Sequence, residues 1–247
     1  MKQNQKEVVK YRKEAGGVAV IQLSRPEKLN AFNRDMYRQF NEAVADFNKD
    51  PDCRVAIITG SGRAFTAGVD TKDLKKAMDE RPGIDIQELA PEFSVEMEDV
   101  EFTEKPIIAA INGLCYGEGL SLAISCDLRI ATTDSQFCMP EVKIGLASIH
   151  GTLRMVHNLG LGNALEMLIM GDPVDADWAM RTGLINRVVA AEDLMPAAMK
   201  WAKSIATLDP HAIKGTRKVA VSCQFLDFND AVDLGLRLRE GTNFTSG

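Results

Sequence analysis

The sequence predicts an α/β fold in which short buried strands alternate with helices. Short apolar runs rich in β-branched residues recur along the first 190 residues, as expected for strands that are buried on both faces. Stretches with apolar residues at helical spacing separate these runs, and strands separated by helices indicate repeated β/α units. Helical patterns dominate after about residue 148. We therefore predict an α/β core over residues 1–190 and a helical region over residues 191–247.

The first predicted strand is the apolar run Val18–Leu23, and the first predicted helix follows it. Asn33 is a good N-cap, and apolar residues recur after it at helical spacing until Asp50-Pro51 breaks the pattern. Residues 54–59 form another short apolar run, which predicts a buried and parallel second strand. Glycines then turn the chain.

A helix capped by Asp70 or Thr71 is predicted to run through about Glu80, and a longer helix is predicted over residues 84–102. The apolar run Ile107–Ile111 predicts the next strand. The remaining predicted elements are a helix at 117–125, strands at 128–131, 136–138 and 187–189, and helices at 161–170, 175–182, 192–206, 211–225 and 227–240.

Composition and charge exclude several classes of protein. Hydrophobic residues make up 45% of the chain and charged residues 26%, which is typical of a globular protein and excludes disordered and coiled-coil chains. The net charge of −6 argues against a nucleic-acid partner or an anionic membrane. The N-terminal residues lack the apolar stretch of a signal peptide, and five cysteines without a close pair are typical of reduced thiols. We therefore expect a cytoplasmic protein with no membrane partner.

Two candidate chemistries are weakly supported by the spacing. His150 and His157 lie two helical turns apart, but no carboxylate or thiol completes metal-ligand spacing around them, so no metal site is predicted. Gly119-x-Ser121-x-Ala123 differs by one residue from the nucleophile elbow of a serine hydrolase. Glycines interrupt the preceding strand, so we expect Ser121 inside the first turn of a helix, with a serine hydrolase as the weaker alternative.

Two glycine-rich turns are the more informative features: residues 63–70, the first turn, and residues 112–119, the second turn. Each follows a buried apolar strand and opens a helix. Small residues let backbone N–H groups approach a ligand closely, and a helix N-terminus adds partial positive charge. Two such turns side by side could direct two N–H donors at one developing oxyanion. The competing interpretation is a pair of ordinary strand-to-helix turns.

Motifs in consistent order from residue 18 to residue 189 resemble the crotonase family, the enoyl-CoA hydratase/isomerase superfamily. These motifs are Arg25-Pro-x-x-x-Asn30-Ala31, residues 59–70, residues 105–113, Cys126-Asp127 with residues 129–131, Phe137-x-x-Pro-Glu141 with Gly145-Leu146, and Ala179-x-x-x-Gly183-Leu184. The resemblance implies a spiral of β-β-α units with a helical C-terminal trimerisation region. It also implies a homotrimer, or a homohexamer built as a dimer of trimers.

The same resemblance implies an acyl-CoA thioester as substrate, with coenzyme A as part of the substrate and no separate cofactor. By position in the motifs, the backbone N–H groups of Val69 and Glu118 would hold the thioester oxygen. Fixed backbone dipoles can stabilise an enolate without reorganising. The coenzyme A moiety would be bordered by Ala31, Ala67, Asp70 and Leu74, with Lys28 and Lys72 as candidates for phosphate contacts or as surface lysines without a role.

The chain departs from the pattern of the hydratases it resembles, which use two glutamates. Glu141 matches the second glutamate, but Ser121 stands at the position of the first, and the spacing of 20 residues between them is retained. Paired carboxylates suit the addition of water, whereas one carboxylate suffices to remove a proton and return it elsewhere. We therefore predict Glu141 as the acid/base, with double-bond isomerisation favoured slightly over hydration.

Two further departures leave alternatives open. Glu118 stands where hydratases commonly have glycine, so its side chain is a candidate for a role beyond its backbone N–H. The segment 145–152 is one residue shorter than usual and places His150 near the acyl end of the pocket. A histidine there could assist hydrolysis or decarboxylation of an acyl-CoA, or it could merely support the loop. A catalytically silent acyl-CoA-binding homologue is another alternative.

Overall fold

The computed structural model of this chain describes residues 6–101, 103–224 and 226–239. The strands are β1 Val9–Glu14, β2 Val18–Leu23, β3 Val55–Gly60, β4 Ala64–Thr66, β5 Ile107–Ile111, β6 Leu114–Tyr116, β7 Leu128–Thr132, β8 Gln136–Cys138, β9 Val174–Asp175 and β10 Arg187–Val189. The α-helices are α1 Arg34–Lys49, α2 Thr71–Glu80, α3 Met97–Glu101, α4 Glu118–Ser125, α5 His150–Leu159, α6 Leu161–Met170, α7 Ala176–Arg181, α8 Leu194–Ala206, α9 Pro210–Ser222 and α10 Phe228–Arg239. Short 3₁₀ helices span Pro26–Lys28, Ile86–Glu92, Pro140–Ile144 and Ala191–Asp193.

The strands form two sheets that the chain visits in alternation. One sheet has the order β1-β2-β3-β5-β7-β10, and the other has the order β4-β6-β8-β9. Neighbouring strands are parallel except β1 with β2 and β8 with β9. In each of the successive units β3-β4-α2 and β5-β6-α4, the first strand joins the six-stranded sheet, the second joins the four-stranded sheet, and a helix follows. The predicted α/β class and its β-β-α units are therefore confirmed.

The six-stranded sheet is buried on both faces, which explains its continuous apolar strands. On one face the side chains of β2, β3, β5 and β7 pack against Leu194, Ala198 and Ala202 of α8. On the other face α1 contributes Phe40 and Phe47 to the main core. Every residue of β3 and β5 is buried as a result.

The prediction of one long helix over residues 84–102 is wrong. The segment contains a 3₁₀ helix with Pro91 inside it and the short α3, with an irregular stretch between them. Proline cannot donate the backbone hydrogen bond that a continuing helix requires. The irregular stretch is held by α1, because Asn41 donates to the Ser94 carbonyl at 3.2 Å and accepts from the Glu96 amide at 3.1 Å.

Several elements were not predicted from the sequence. These are β1, β4, β6, β9 and α5. β1 is an edge strand with mostly exposed side chains, and β4 and β6 have three residues each, so none has a clear apolar pattern. The predicted helix ends at residues 102, 225 and 240 and the tail 241–247 lie outside the described residues, and the boundary at residue 190 stays a prediction. No helix in the described ranges combines the length and apolarity that a membrane crossing requires.

The helix α9 is attached to the α/β core through a mostly buried ion pair. Arg217 Nε donates to Asp127 Oδ1 at 2.6 Å, and a second guanidinium nitrogen donates to the Glu101 carbonyl at 2.8 Å. The other carboxylate oxygen of Asp127 accepts from the Ile107 amide at 2.8 Å, at the start of β5. One side chain therefore connects α9 to the end of α3 and to the central sheet.

Substituting Arg217 by Met is expected to lower the free energy of unfolding by ~3–5 kcal/mol, because it leaves the Asp127 carboxylate buried without its partner. The measurement is urea-induced unfolding followed by circular dichroism. Lys214→Met on the same helix is the matched control, since Lys214 pairs with Glu104 on the exposed surface and should cost less than ~1 kcal/mol. Equal destabilisation by the two variants would contradict this role of Arg217.

Candidate active site

In the first turn, the Val69 amide lies between two amides that are hydrogen-bonded. Gly68 has a φ of +86°, and its N–H donates to Thr66 Oγ1 at 3.0 Å. The Asp70 N–H donates to the Phe32 carbonyl at 2.8 Å. Between these two amides, the Val69 N–H makes no hydrogen bond to any described residue. Its neighbours are fixed by structural contacts while Val69 keeps a free donor.

Asn30 holds the first turn in place. Its backbone is left-handed with a φ of 55°, and its side chain is fully buried. The Asn30 amide donates to the carbonyls of Ser61 and Ala64 at 2.9 and 2.8 Å and accepts from the Arg25 N–H at 2.8 Å. The asparagine at position 30 of the Arg25-to-Ala31 motif is therefore structural, because its buried side chain connects residues 25–30 to the first turn.

The second turn presents the amide of Glu118 at the start of α4. Gly117 has a φ of +53°, a conformation that favours glycine, and its N–H donates to the Cys138 carbonyl at 2.8 Å. Glu118 is the first residue of α4, so its N–H has no acceptor within the helix. The helix dipole adds positive charge at the same place.

The two turns lie directly against each other. A Cβ built on Gly68 would lie 2.9 Å from the Tyr116 carbonyl oxygen and 3.4 Å from the Glu118 nitrogen. A Cβ on Gly119 would lie 2.2 Å from Thr66 Cγ2. Glycine at both positions allows this close approach, which brings the free amides of the two turns to the same region.

The carboxyl group of Glu141 lies beside the second turn. Glu141 belongs to the 3₁₀ helix Pro140–Ile144, and its Oε1 would be 3.1 Å from a Cβ on Gly117. Its Oε2 is buried and has no hydrogen-bond partner among the described residues. Burial raises the pKa of Glu141 above that of an ordinary glutamate. A partly buried carboxyl with an unsatisfied oxygen is therefore positioned beside Gly117, the residue before Glu118.

The side chain of Glu118 extends toward a different part of the chain. Its Oε1 accepts from the Val95 N–H at 3.2 Å, in the irregular stretch before α3. The pKa of Glu118 is raised, mainly by burial and partly by the charge of Glu141, while the Val95 amide and His150 lower it. Glu118 therefore contributes a backbone donor at one end and a held carboxyl group at the other.

Ser121 and His150 do not form a nucleophile–base pair. Ser121 is buried in the first turn of α4, as predicted, and its Oγ would be 2.8 Å from a Cβ on Gly151. His150 is the exposed first residue of α5, and no hydrogen bond joins it to Ser121 in the described structure. Within the described ranges no group of three or more histidine, cysteine or acidic side chains could hold a metal ion.

Asp70, one of the two predicted caps of α2, also has a structural partner in Arg25 that the sequence did not reveal. Its carboxylate accepts from the Lys72 amide at 3.2 Å, which caps α2, and it pairs with the Arg25 guanidinium at 3.1 Å. The other residues predicted to contact coenzyme A lie in the loop of residues 25–31, in the first turn or in α2. They are Lys28, Ala31, Ala67, Lys72 and Leu74. The two lysine side chains are exposed, and the loops are joined by the hydrogen bond from the Ala67 N–H to the Leu29 carbonyl.

Comparison with known proteins identifies the family. Residues 13–225 match the family model described as enoyl-CoA hydratase/isomerase. The chain belongs to the enoyl-CoA hydratase/isomerase family. It is 34% identical over 219 residues to the crotonyl-CoA hydratase of Syntrophomonas wolfei, which covers 88% of this chain and 83% of the relative. It is 35% identical over 209 residues to the mitochondrial Delta(3,5)-Delta(2,4)-dienoyl-CoA isomerase of Rattus norvegicus, covering 80% of this chain but only 63% of the isomerase.

Solved structures confirm the crotonase-like fold of this member of the enoyl-CoA hydratase/isomerase family. An enoyl-CoA hydratase subunit I from Geobacillus kaustophilus superposes with a TM-score of 0.85 and 32% identity, covering 94% of this chain and 88% of that chain. An enoyl-CoA hydratase from Bacillus anthracis superposes with a TM-score of 0.87 and 26% identity, covering 96% and 91%. The relatives include hydratases and an isomerase, so membership of the enoyl-CoA hydratase/isomerase family does not select one reaction.

Sequence reasoning missed two groups near the site of this family member. Val95 lies in a stretch predicted to be helical, yet its amide binds the Glu118 carboxyl. Tyr37 lies on α1 and fits the apolar pattern of a core residue, so nothing in the sequence distinguished it. Its hydroxyl is buried without a partner among the described residues, and its pKa is raised by burial and by the charge of Glu118.

Proposed function

We propose that this chain binds an enoyl-CoA and moves its double bond, with Glu141 as the acid/base. The observation that carries the proposal is the Glu141 carboxyl, whose buried Oε2 has no partner among the described residues and which lies beside the turn that presents the Glu118 N–H. The free Val69 N–H on the adjoining turn supplies the second donor for a thioester oxygen. Names of relatives that act on enoyl-CoA and dienoyl-CoA support this substrate class.

In the proposed reaction, Glu141 takes a proton from C2 of a 3-enoyl-CoA. The electron pair of the broken C–H bond is delocalised into the thioester of the substrate as a dienolate. Negative charge therefore develops on the thioester oxygen between the amides of Val69 and Glu118. Such fixed donors are most effective where charge develops in the transition state. The protonated Glu141 then returns its proton to C4, which leaves a double bond between C2 and C3 and regenerates the carboxylate. No water is consumed.

Isomerisation is favoured over hydration because of the group at position 121. Water addition is served best by two groups, one that activates water and one that delivers a proton. Ser121 can position water, but a serine hydroxyl does not act as a base at its ordinary pKa. The Glu118 carboxyl accepts a hydrogen bond from the Val95 amide at 3.2 Å and is thereby drawn toward the stretch before α3. One carboxyl, that of Glu141, suffices for proton transfer between two carbons.

The coenzyme A moiety is proposed to lie along the loops that support the first turn. Ala31, Ala67 and Leu74 would border the adenine and pantetheine, and Lys28 and Lys72 would contact phosphates through their exposed side chains. Asp70 would act through its cap on α2 and its pair with Arg25, which hold the Val69 amide in place.

The test incubates the purified protein and its Glu141→Ala variant with 3-hexenoyl-CoA and with crotonyl-CoA, and follows the products by mass spectrometry and absorbance. Conversion of 3-hexenoyl-CoA to the conjugated isomer, lost in the variant, is the expected result. Hydration of crotonyl-CoA that depends on Glu141 would show that one carboxyl suffices for water addition and would overturn the preference for isomerisation. No reaction with either ester, while both still bind, would overturn the proposal and favour hydrolysis or decarboxylation near His150, or a silent binding role.

We also propose that copies of this chain assemble as trimers, alone or paired into hexamers. Large apolar side chains are exposed along the segment from the Glu141 loop through α6, a concentration typical of an association surface. They include Ile144, Ile149, Leu153, Leu161 and Ile169, each more than half exposed. Additional exposed apolar side chains occur on α10, where Phe228 is 82% exposed.

Substituting Ile169 by Glu on this surface is expected to shift the protein from a mass of three or six chains to that of one chain of 27.1 kDa. A charge placed in a buried interface leaves an unpaired ion and costs several kcal/mol. Size-exclusion chromatography with light scattering measures the mass. Lys200→Glu on α8 is a control on an exposed polar position, and a monomeric wild-type protein would contradict the proposal.

A further inference from the structure

Tyr37 carries a polar group that the proposed reaction does not use. Its ring packs between Phe32 and Phe93, at centroid distances of 4.9 and 6.1 Å, and the residue is only 2% exposed. Its hydroxyl oxygen is buried and makes no hydrogen bond with any described residue. Buried hydroxyl groups are normally paired, so an unpaired one calls for a partner.

Residues 93–96, the irregular stretch before α3, connect Tyr37 with Glu118. Asn41, one helical turn after Tyr37 on α1, binds the backbone on both sides of Val95, through Ser94 and Glu96. Val95 itself donates its N–H to Glu118 Oε1 at 3.2 Å. The Tyr37 ring contacts Phe93, two residues before Val95, so the phenol from α1 and the carboxyl from α4 are both held against residues 93–95. Burial, together with the charge of Glu118, raises the pKa of the Tyr37 hydroxyl.

We propose that the Tyr37 hydroxyl and the Glu118 carboxyl form a polar subsite that binds a hydroxyl group on the acyl chain of the substrate. The proposal rests on the proposed function, because the Glu118 amide that would hold the thioester oxygen belongs to the same residue as this carboxyl. The acyl chain would therefore begin beside the subsite. Tyr37 and Glu118 do not hydrogen-bond to each other, and a hydroxyl between them would bond to both and satisfy the Tyr37 hydroxyl.

A hydroxyl is suited to this position because it both accepts and donates. It would accept the proton of the Tyr37 hydroxyl and donate to the carboxylate oxygen of Glu118 that the Val95 amide does not bind. A methyl group at the same place would leave the phenol unpaired. Sites that hydrogen-bond a substrate hydroxyl discriminate strongly against analogues without it, because their own buried polar groups then lose their partner.

The test measures equilibrium binding by calorimetry, so that it does not depend on turnover. Saturated ω-hydroxyacyl-CoA esters of several chain lengths are each compared with the ester in which a methyl group replaces the hydroxyl. For at least one length, we expect the hydroxylated ester to bind about tenfold tighter, as a well-formed hydrogen bond predicts. Tyr37→Phe should reduce this ratio to about one. Tyr11→Phe, which removes a hydroxyl that faces Cys53 away from the site, should leave the ratio unchanged.

Thermal unfolding of the ligand-free Tyr37→Phe protein provides a second measurement. A hydroxyl without a partner contributes nothing that its removal can cost, so the melting temperature should not fall. Equal binding of both esters at every length, or a preference that persists in Tyr37→Phe, overturns the proposal. A clear fall in melting temperature also overturns it, because a resident water would then satisfy the phenol.

The outcome is separable from that of the proposed function. A hydroxyl preference in binding, together with no Glu141-dependent turnover of any ester, would support the subsite and overturn the reaction. Glu141-dependent turnover without a hydroxyl preference would support the reaction and overturn the subsite. Failure of every CoA ester to bind would overturn both.

Discussion

Glu141→Gln is expected to lower kcat for a 3-enoyl-CoA by about 10²–10⁴-fold, the range found when a positioned acid/base is removed. Glutamine has nearly the same shape and fills the same space, but it cannot take a proton from carbon. Affinity for the CoA ester should therefore change far less than kcat. Stopped-flow absorbance at the wavelength of the conjugated thioester measures turnover, and calorimetry measures binding.

The pH dependence of activity in the wild-type protein is an independent test of Glu141 as the base. Burial raises the pKa of Glu141, and the reaction needs the ionised form. Activity should therefore rise with pH through a midpoint above the pKa of an exposed glutamate, and fall as the pH drops below that midpoint. Glu42→Gln, on the exposed side of α1, is the control and should keep both the rate and the profile. Retention of near-normal turnover by Glu141→Gln would exclude Glu141 as the base.

Gly68→Ala should have the second largest effect, because Gly68 sits where the two turns meet. Its φ of +86° disfavours any residue with a Cβ, and that Cβ would lie 2.9 Å from the Tyr116 carbonyl oxygen. The clash should move the Val69 amide relative to the Glu118 amide. Misplacing one donor of an oxyanion site lowers kcat by about 10²–10³-fold, and we expect a loss of that size in steady-state kinetics.

Gly83→Ala separates backbone strain from the close approach of the turns. Gly83 has a φ of +85°, but a Cβ there would meet nothing within 4 Å. Both alanine variants should lower the free energy of unfolding, by ~1–3 kcal/mol for strain of this kind. Only Gly68→Ala should also lower kcat. Equal activity of the two variants would contradict the placement of the oxyanion site between the turns.

Local signals in the sequence accounted for the elements that are long or strongly apolar. The strands β2, β3, β5 and β7 were located to within a residue or two, because burial on both faces requires a continuous apolar run. The cap at Asn33 was also predicted, and Asp70 was one of two candidates for the cap of α2 together with Thr71, since each capping side chain binds an amide two or three residues away. Such contacts lie within one turn of chain and leave a local pattern.

Elements that depend on distant partners left no such pattern. β4 and β6 have three residues each and exist because they pair with each other across about 50 residues of chain. The failure at residues 84–102 has the same origin, because Asn41 of α1 takes backbone hydrogen bonds that a helix would have used. Apolar periodicity does not reveal which distant side chain will compete for the backbone.

The sequence by itself determined the α/β class, the two glycine-rich turns and, through its resemblance to the crotonase family, the candidate residues Val69, Glu118 and Glu141. Only the tertiary structure decided that Gly68 lies against the Glu118 amide, that Glu141 Oε2 is buried without a partner among the described residues, and that Tyr37 and Glu118 both contact residues 93–95. The reason is physical. Conformational preference and capping act over a few neighbouring residues, whereas burial and the pairing of polar groups depend on which segments pack together in space.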